Sequence, residues 1–259
     1  MRWFLTLLSA AVVLMAVGCN GGKGRLQEDK AAFDTGYAAF EAGHWQRAID
    51  EFSRYLRSNP TMEARGEVYY YRGECYARLR NRQDAMDDFL RALGANARPP
   101  IDSFARVAIG NLYYEAGDDA KAVDAYAEAL RQPPKELPLE WVLLRMGVSL
   151  QRLGRWQKAG EYLTYLADHY PESPSVPEAR RRLRADCFTV QIGAYVSMTT
   201  ARGEAARARA AGFQPRIVYV ARGSQTLNAI QVGRAQTYAE AAALARRLGQ
   251  AGFQMVIVP

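Results

Sequence analysis

FARVAIGNLYYEAGDDAKAVDAYAEALRQPP, residues Phe104–Pro134, is the stretch that decides the fold. Gly110 and Tyr113 share one helical run, Gly117 marks a turn, and Ala122, Tyr126 and Ala129 share a second run that Pro133-Pro134 stops. Small residues on facing sides let two helices approach closely, and the aromatic rings fill the space towards the next pair. Working outward, Gly36, Gly73, Gly110 and Gly147 recur at a step of 37 residues. Ala48, Ala85, Ala122 and Ala159 keep the same step, each twelve residues after its glycine. Four copies of two landmarks in register imply a repeat array, in which each unit buries its apolar face only against its neighbours.

These landmarks resemble the tetratricopeptide (TPR) motif, over residues 30–173. The first unit keeps Gly36, Gly43, Trp45, Ala48, Phe52 and Pro60, and the fourth keeps Gly147, Gly154, Trp156, Ala159 and Pro171, with Leu163 in place of the usual aromatic. Pro174–Ala185 then reads as the solvating helix that closes the array, with its arginines outward. The resemblance implies an all-α solenoid, residues 30–185, whose concave groove takes a segment of a partner protein. The family's concave positions fall on Phe33, Tyr37, Phe40, Tyr70, Phe104, Asn111, Tyr114, Trp141 and Gln151. The partner itself stays unnamed.

A different repeat occupies the tail. Val190-Gln191-Ile192-Gly193 returns as Ile230-Gln231-Val232-Gly233, and Ala211-Gly212-Phe213 returns as Ala251-Gly252-Phe253, both forty residues later. In the first strand Phe188, Val190 and Ile192 alternate with Thr189, Gln191, Gly193 and Tyr195; in the second Asn228, Ile230 and Val232 alternate with Leu227, Ala229, Gln231 and Gly233. Each strand therefore carries an apolar face and a face bearing glutamine and glycine. Ala- and Arg-rich helical runs follow, each ending in Gly, and then the β-rich runs Arg216–Ala221 and Met255–Val258. The order β-α-β-β-α-β predicts a small α+β unit of ferredoxin or RNP type, an antiparallel sheet with helices on one face and the other face open.

This tail, residues 186–259, resembles a SPOR domain, a family that binds peptidoglycan glycan strands stripped of their stem peptides on the open sheet face. The resemblance implies glycan contacts from Gln191, Gly193, Tyr195, Leu227, Gln231, Gly233 and Arg234. The ligand's chemistry fits them: its hydroxyl and acetamido groups suit amides, its sugar rings suit Tyr195 and Leu227, and its muramic carboxylates suit Arg234 with Arg216 or Arg222. Gly193 and Gly233 would let a sugar approach the backbone. The chain departs from the family pattern at Gly233-Arg234-Ala235, where Gly-Pro-Phe is common, and at Leu227 and Ala229, where Trp and Arg often stand.

The start of the chain reads as an export signal. Arg2 precedes an apolar stretch from Trp3 to Val17, about 22 Å if helical, too short for a hydrocarbon core of roughly 30 Å. Ala16-Val17-Gly18-Cys19 resembles a bacterial lipobox, which implies cleavage after residue 18, acylation of Cys19, a short linker over 19–29 and attachment to a membrane. Asn20 after that cysteine implies, by the same resemblance, the outer membrane facing the periplasm. Cys75 and Cys187 then read as two separate buried thiols, with a bridge between them as the less favoured alternative.

Charge separates the parts. The whole chain carries a net +7, of which residues 187–259 supply +6 from eight arginines and two glutamates, and Arg2 one more. Residues 19–186 sum to zero. A glycosidase needs two carboxylates flanking one bond, whereas Glu204 and Glu240 lie on separate helices; no pattern calls for a metal, a cofactor or a catalytic nucleophile. A basic β-α-β-β-α-β sheet also suits RNA, but the aromatic stacking motif is missing and export removes that ligand. The expectation is a non-catalytic envelope lipoprotein that binds glycan through the tail and a protein through the repeats, in cell division or wall remodelling. The alternative is a repeat scaffold for outer-membrane or wall-enzyme assembly in which the tail is only a tether.

Overall fold

The computed structural model describes residues 20–58, 62–95, 100–223 and 225–259. The expected signal and Cys19 lie outside them. Four helical hairpins follow one another: α1 (Asn20–Glu41) with α2 (Trp45–Arg57), α3 (Met62–Arg78) with α4 (Arg82–Gly94), α5 (Ile101–Ala116) with α6 (Asp119–Ala129), and α7 (Leu139–Arg152) with α8 (Trp156–His169). The short α9 (Val176–Arg182) closes the array. α1 runs back to Asn20, across the span read as a linker, and does so through Gly21, Gly22 and Gly24, residues of low helix propensity.

The two landmarks of each repeat meet in space. A Cβ added to Gly36, Gly73, Gly110 or Gly147 would lie 2.8, 2.8, 2.6 and 2.6 Å from Phe52, Phe89, Tyr126 and Leu163 respectively. Ala48, Ala85, Ala122 and Ala159 have no exposed surface. Glycine on one helix thus makes room for a ring or Leu on the other, and burying each such side chain stabilises by about 1.5–3 kcal/mol. Tyr126 satisfies its buried hydroxyl by donating to Asn111 Oδ1 at 2.8 Å.

The turns are equally regular. Asn81 and Asp118 accept from the backbone N–H of Asp84 and Lys121, capping α4 and α6. Gly43, Gly117 and Gly154 turn each hairpin with φ of +72°, +78° and +76°, and the fourth equivalent position is Arg80, with φ +61°. Adjacent repeats are further tied by Arg72 of α3, which donates to both oxygens of Asp88 (2.6 and 2.9 Å) and to Ser53 Oγ of the first repeat (2.8 Å). Asp88 is buried, so this bidentate pair replaces its hydration.

The tail folds as β1 (Phe188–Tyr195), α10 (Met198–Ala210), β2 (Pro215–Arg222), β3 (Gln225–Ala235), α11 (Tyr238–Gln250) and β4 (Val256–Val258). The sheet order is β2-β3-β1-β4 and every neighbouring pair is antiparallel. Val190, Ile192, Ile230 and Val232 pack against Ala201, Ala205 and Ala208 of α10 and Leu248 of α11. Both helices therefore cover one face. Ser197 caps α10, and Thr237 with Glu240 forms a reciprocal capping box on α11.

The solenoid and the sheet are in direct contact. Trp156 of α8 meets Phe188 of β1 with ring centres 5.0 Å apart and planes tilted by 58°, and joins a small core with Ala235, Ala241 and Ile257. Gly154 lets the chains close, since a Cβ there would sit 3.2 Å from the Gln236 carbonyl oxygen. Cys75 and Cys187 are both free and buried.

Candidate functional site

Pairing across the sheet decides which side chains share the open face. Gln191 of β1 stands opposite Gln231 of β3 on one side and Val256 of β4 on the other, and Gln231 stands opposite Arg216 of β2. Opposed residues point to the same face, so Val256, Gln191, Gln231 and Arg216 form one row across all four strands. Arg216 donates from Nη2 to Gln231 Oε1 at 3.1 Å, which leaves the Gln231 amide N–H groups for a ligand. A parallel strip holds Ala194, Ala229 and Val218, and beyond it Leu227 faces Val220. Leu227 and Ala229 are buried, at 8% and 0% exposure, so the expected platform residue Leu227 offers little surface and only Ala194, Val218 and Val220 of this part of the face are partly exposed.

The alternation expected for β1 holds only to Ile192. The register shifts between Gln191 and Gly193, so that Gly193 pairs with Ile230, Ala194 with Ala229 and Tyr195 with Asn228. One extra residue in a strand reverses the faces of everything after it. Tyr195, expected as a sugar platform, instead packs against the core beneath the helices. Its ring covers Gly193, where an added Cβ would be 2.6 Å from Tyr195 Cε2. Gly233 has φ +73°, and a Cβ there would collide with Leu244 Cδ2. Both glycines thus admit a protein side chain on the helix side.

Arg234 lies at the end of β3 and donates from Nη2 to Asp186 Oδ2 at 2.7 Å. That bond, with one from Cys187, holds the Asp186 carboxyl below the usual carboxylate range, the Cys187 bond being the larger cause. Beside it, Arg216, Arg234 and Arg247 line an open pocket of about 450 Å3 with Phe213, Leu244 and Gly233. Arg247 and Arg207 also lie over Phe213 and Phe253, the rings of the two duplicated Ala-Gly-Phe ends. The two glutamates of the tail are already engaged: Glu240 in the α11 cap and Glu204 with Arg207 at 3.3 Å.

In the solenoid the expected groove residues divide. Asn111 and Trp141 line two adjoining cavities, the smaller of which Tyr70 and Phe104 also line. Phe33, Tyr37 and Phe40 instead build an aromatic cluster with Trp45, Phe52, Tyr55 and Tyr71 between the first hairpin and α3. Tyr114 lies under Arg145 and Arg152, at 5.1 and 4.8 Å. Gln151 is buried and bonds both ways with Arg182, so it fastens α9 and is no groove residue.

The larger cavity also holds charges that the aromatic reading passed over: Glu74, Arg78, Arg80, Arg82, Glu115 and Arg145 around about 720 Å3. A signal existed, since Glu41, Arg78, Glu115 and Arg152 occupy one position of the 37-residue step. Burial pushes the Glu74 carboxyl above the usual range, opposed by Arg78. Among the described residues no group of three or more His, Cys, Asp or Glu side chains could hold a metal.

A hairpin solenoid with a concave cavity, carrying a small sheet with one helix-free face, defines a chain built of binding modules. Family models name both parts. The chain carries tetratricopeptide repeats over residues 33–100, 104–135 and 141–173 and a SPOR domain over residues 187–259. Among solved structures, a tetratricopeptide repeat protein from Parabacteroides merdae ATCC 43184 is similar with a TM-score of 0.53 at 17% identity, over 61% of this chain and 59% of its own. YrrB, described as a TPR protein with an unusual peptide-binding site, is similar with a TM-score of 0.52 at 14% identity, over 63% of this chain and 78% of its own. These likenesses are of fold. A comparison with curated proteins finds no match. The two domain types fit a peptidoglycan-binding and protein-interaction role.

Proposed function

We propose that the chain is a lipid-anchored protein of the bacterial envelope, held by Cys19 in the outer membrane facing the periplasm. Its SPOR sheet binds glycan strands stripped of stem peptides, and its repeat groove holds a partner protein, which brings that partner to places where the wall is being divided or remodelled. The observation that carries the reading is the row Val256, Gln191, Gln231 and Arg216 across a sheet face free of helices. Two amides present donors and acceptors to sugar hydroxyl and acetamido groups, while Arg216 and Arg234 supply cations for muramic carboxylates. The partly exposed Ala194, Val218 and Val220 suit the apolar face of a sugar ring.

The test is co-sedimentation of the full chain with purified sacculi before and after amidase digestion. More protein should pellet with digested sacculi. Gln191→Ala with Gln231→Ala should reduce that binding roughly tenfold or more, since each hydrogen bond contributes about 1 kcal/mol. Equal binding to both preparations, unaffected by the double variant, would remove the stripped-glycan reading.

A further inference from the structure

We propose that the groove of the solenoid selects an acidic partner: an extended protein segment carrying several Asp or Glu side chains, with an apolar residue for Trp141 and Phe104. This rests on the reading of the groove as a protein-docking site and supplies the chemistry of its occupant.

The repeat region is electrically neutral overall, as residues 19–186 have no net charge. The cavity is not. Four arginines line it, Arg78, Arg80, Arg82 and Arg145, against two glutamates. Glu115 is already engaged by Arg82 Nη2 at 3.1 Å. Glu74 is partly buried, and its raised carboxyl is more easily neutralised than a solvated one. The cavity therefore presents a surplus of cations.

Arg145 is held ready. Its guanidinium lies 5.1 Å from the ring centres of both Tyr114 and Trp141, and Nη1 donates to Asn111 Oδ1 at 2.7 Å. A guanidinium has five N–H donors, so most of them stay available in a fixed plane that matches a carboxylate. A cation fixed before binding loses little entropy when it meets its anion.

Arg80 is the more telling residue. At the equivalent turn of the other three repeats the chain places Gly43, Gly117 and Gly154, all with positive φ. Arg80 adopts φ +61° with a full side chain, which costs an L residue roughly 1–2 kcal/mol. Strain of this kind persists where the side chain has a task. Here the strained residue lies on the cavity wall beside Arg78 and Arg82.

The experiment is selection of a random twelve-residue phage-displayed peptide library on the immobilised full chain, with the variant Arg78→Gln/Arg80→Asn run in parallel. Both positions are exposed, and Asn tolerates a left-handed backbone, so this variant keeps the fold. Selected peptides should be enriched in Asp and Glu. One of them, labelled and measured by fluorescence anisotropy, should bind the variant at least tenfold more weakly and should weaken as salt rises. Its counterpart with every Asp and Glu changed to Asn and Gln should lose binding by a similar factor. Selection of neutral or basic peptides that Trp141→Ala abolishes would overturn the acidic partner while leaving a protein-docking groove. Selection of no peptide sensitive to either variant would overturn both. Displacement of the acidic peptide by soluble stripped glycan, with glycan bound more tightly in the groove, would make the occupant a polysaccharide and also overturn the proposal.

Discussion

The Trp156 indole Nε1 donates to the Gln236 carbonyl oxygen at 2.8 Å, joining the fourth repeat to the loop that leads into α11. The bond lies beside the Trp156–Phe188 ring contact and the close approach at Gly154, so three contacts join the solenoid to the sheet domain at one place.

Breaking this joint should separate the domains without unfolding either. Trp156→Ala removes a half-buried ring and one hydrogen bond, a loss of about 2 kcal/mol. The expected result is two thermal transitions where the parent shows one, with faster proteolysis near residues 183–187. A single unchanged transition would mean that the contact contributes nothing in solution.

Glycine substitutions should go in opposite directions according to what lies opposite. Gly110→Ala drives a Cβ to within 2.6 Å of the Tyr126 ring and should cost about 1–3 kcal/mol in denaturant unfolding. Gly203, in the middle of α10, has nothing within 4 Å, and Gly203→Ala should stabilise by about 0.5–1 kcal/mol. Equal effects at the two positions would contradict the close helix approach in the third repeat.

Arg72→Met strands the buried Asp88 carboxylate, with only Arg91 left beside it at 3.1 Å, and should destabilise by about 3 kcal/mol. The double variant Arg72→Met/Asp88→Leu should recover most of that loss, because it removes the unpaired charge as well. If the double variant is as destabilised as Arg72→Met alone, the pair is a net source of stability and the desolvation account fails.

Burial, and secondarily Glu74, pushes the Cys75 thiol up to about 12. The unfolded thiol ionises near its ordinary value of about 8.5. Between these values the unfolded state releases a proton that the folded state keeps, so stability falls as pH rises through that window. The unfolding midpoint should drop between pH 8.5 and 10.5, less steeply in Cys75→Ala, and native protein should resist alkylation at Cys75. Rapid labelling at neutral pH would show that the site opens.

Asp186→Asn frees Arg234 from the carboxylate that occupies it at 2.7 Å. Binding to amidase-treated sacculi should strengthen a few-fold at low salt and converge with the parent at high salt, where exposed charges are screened. Weaker binding in this variant would mean that Asp186 positions Arg234 for the glycan instead of competing with it.

Sequence by itself determined whatever is periodic. The 37-residue step placed Gly36, Gly73, Gly110 and Gly147 opposite their partners because identical hairpins must stack identically, and the forty-residue step paired Gln191 with Gln231 because duplicated strands meet in one sheet. Departures from period were left to the tertiary structure. The bulge after Gln191 sends Tyr195 to the core because two strands, not one, set the register, and no residue of β1 alone announces it. Arg80 stands where its repeat should have Gly, and its meaning appears only when Arg78, Arg82 and Arg145 are seen around the same cavity. Trp156 meets Gln236 eighty residues along the chain, a distance that only the folded packing of solenoid against sheet can close.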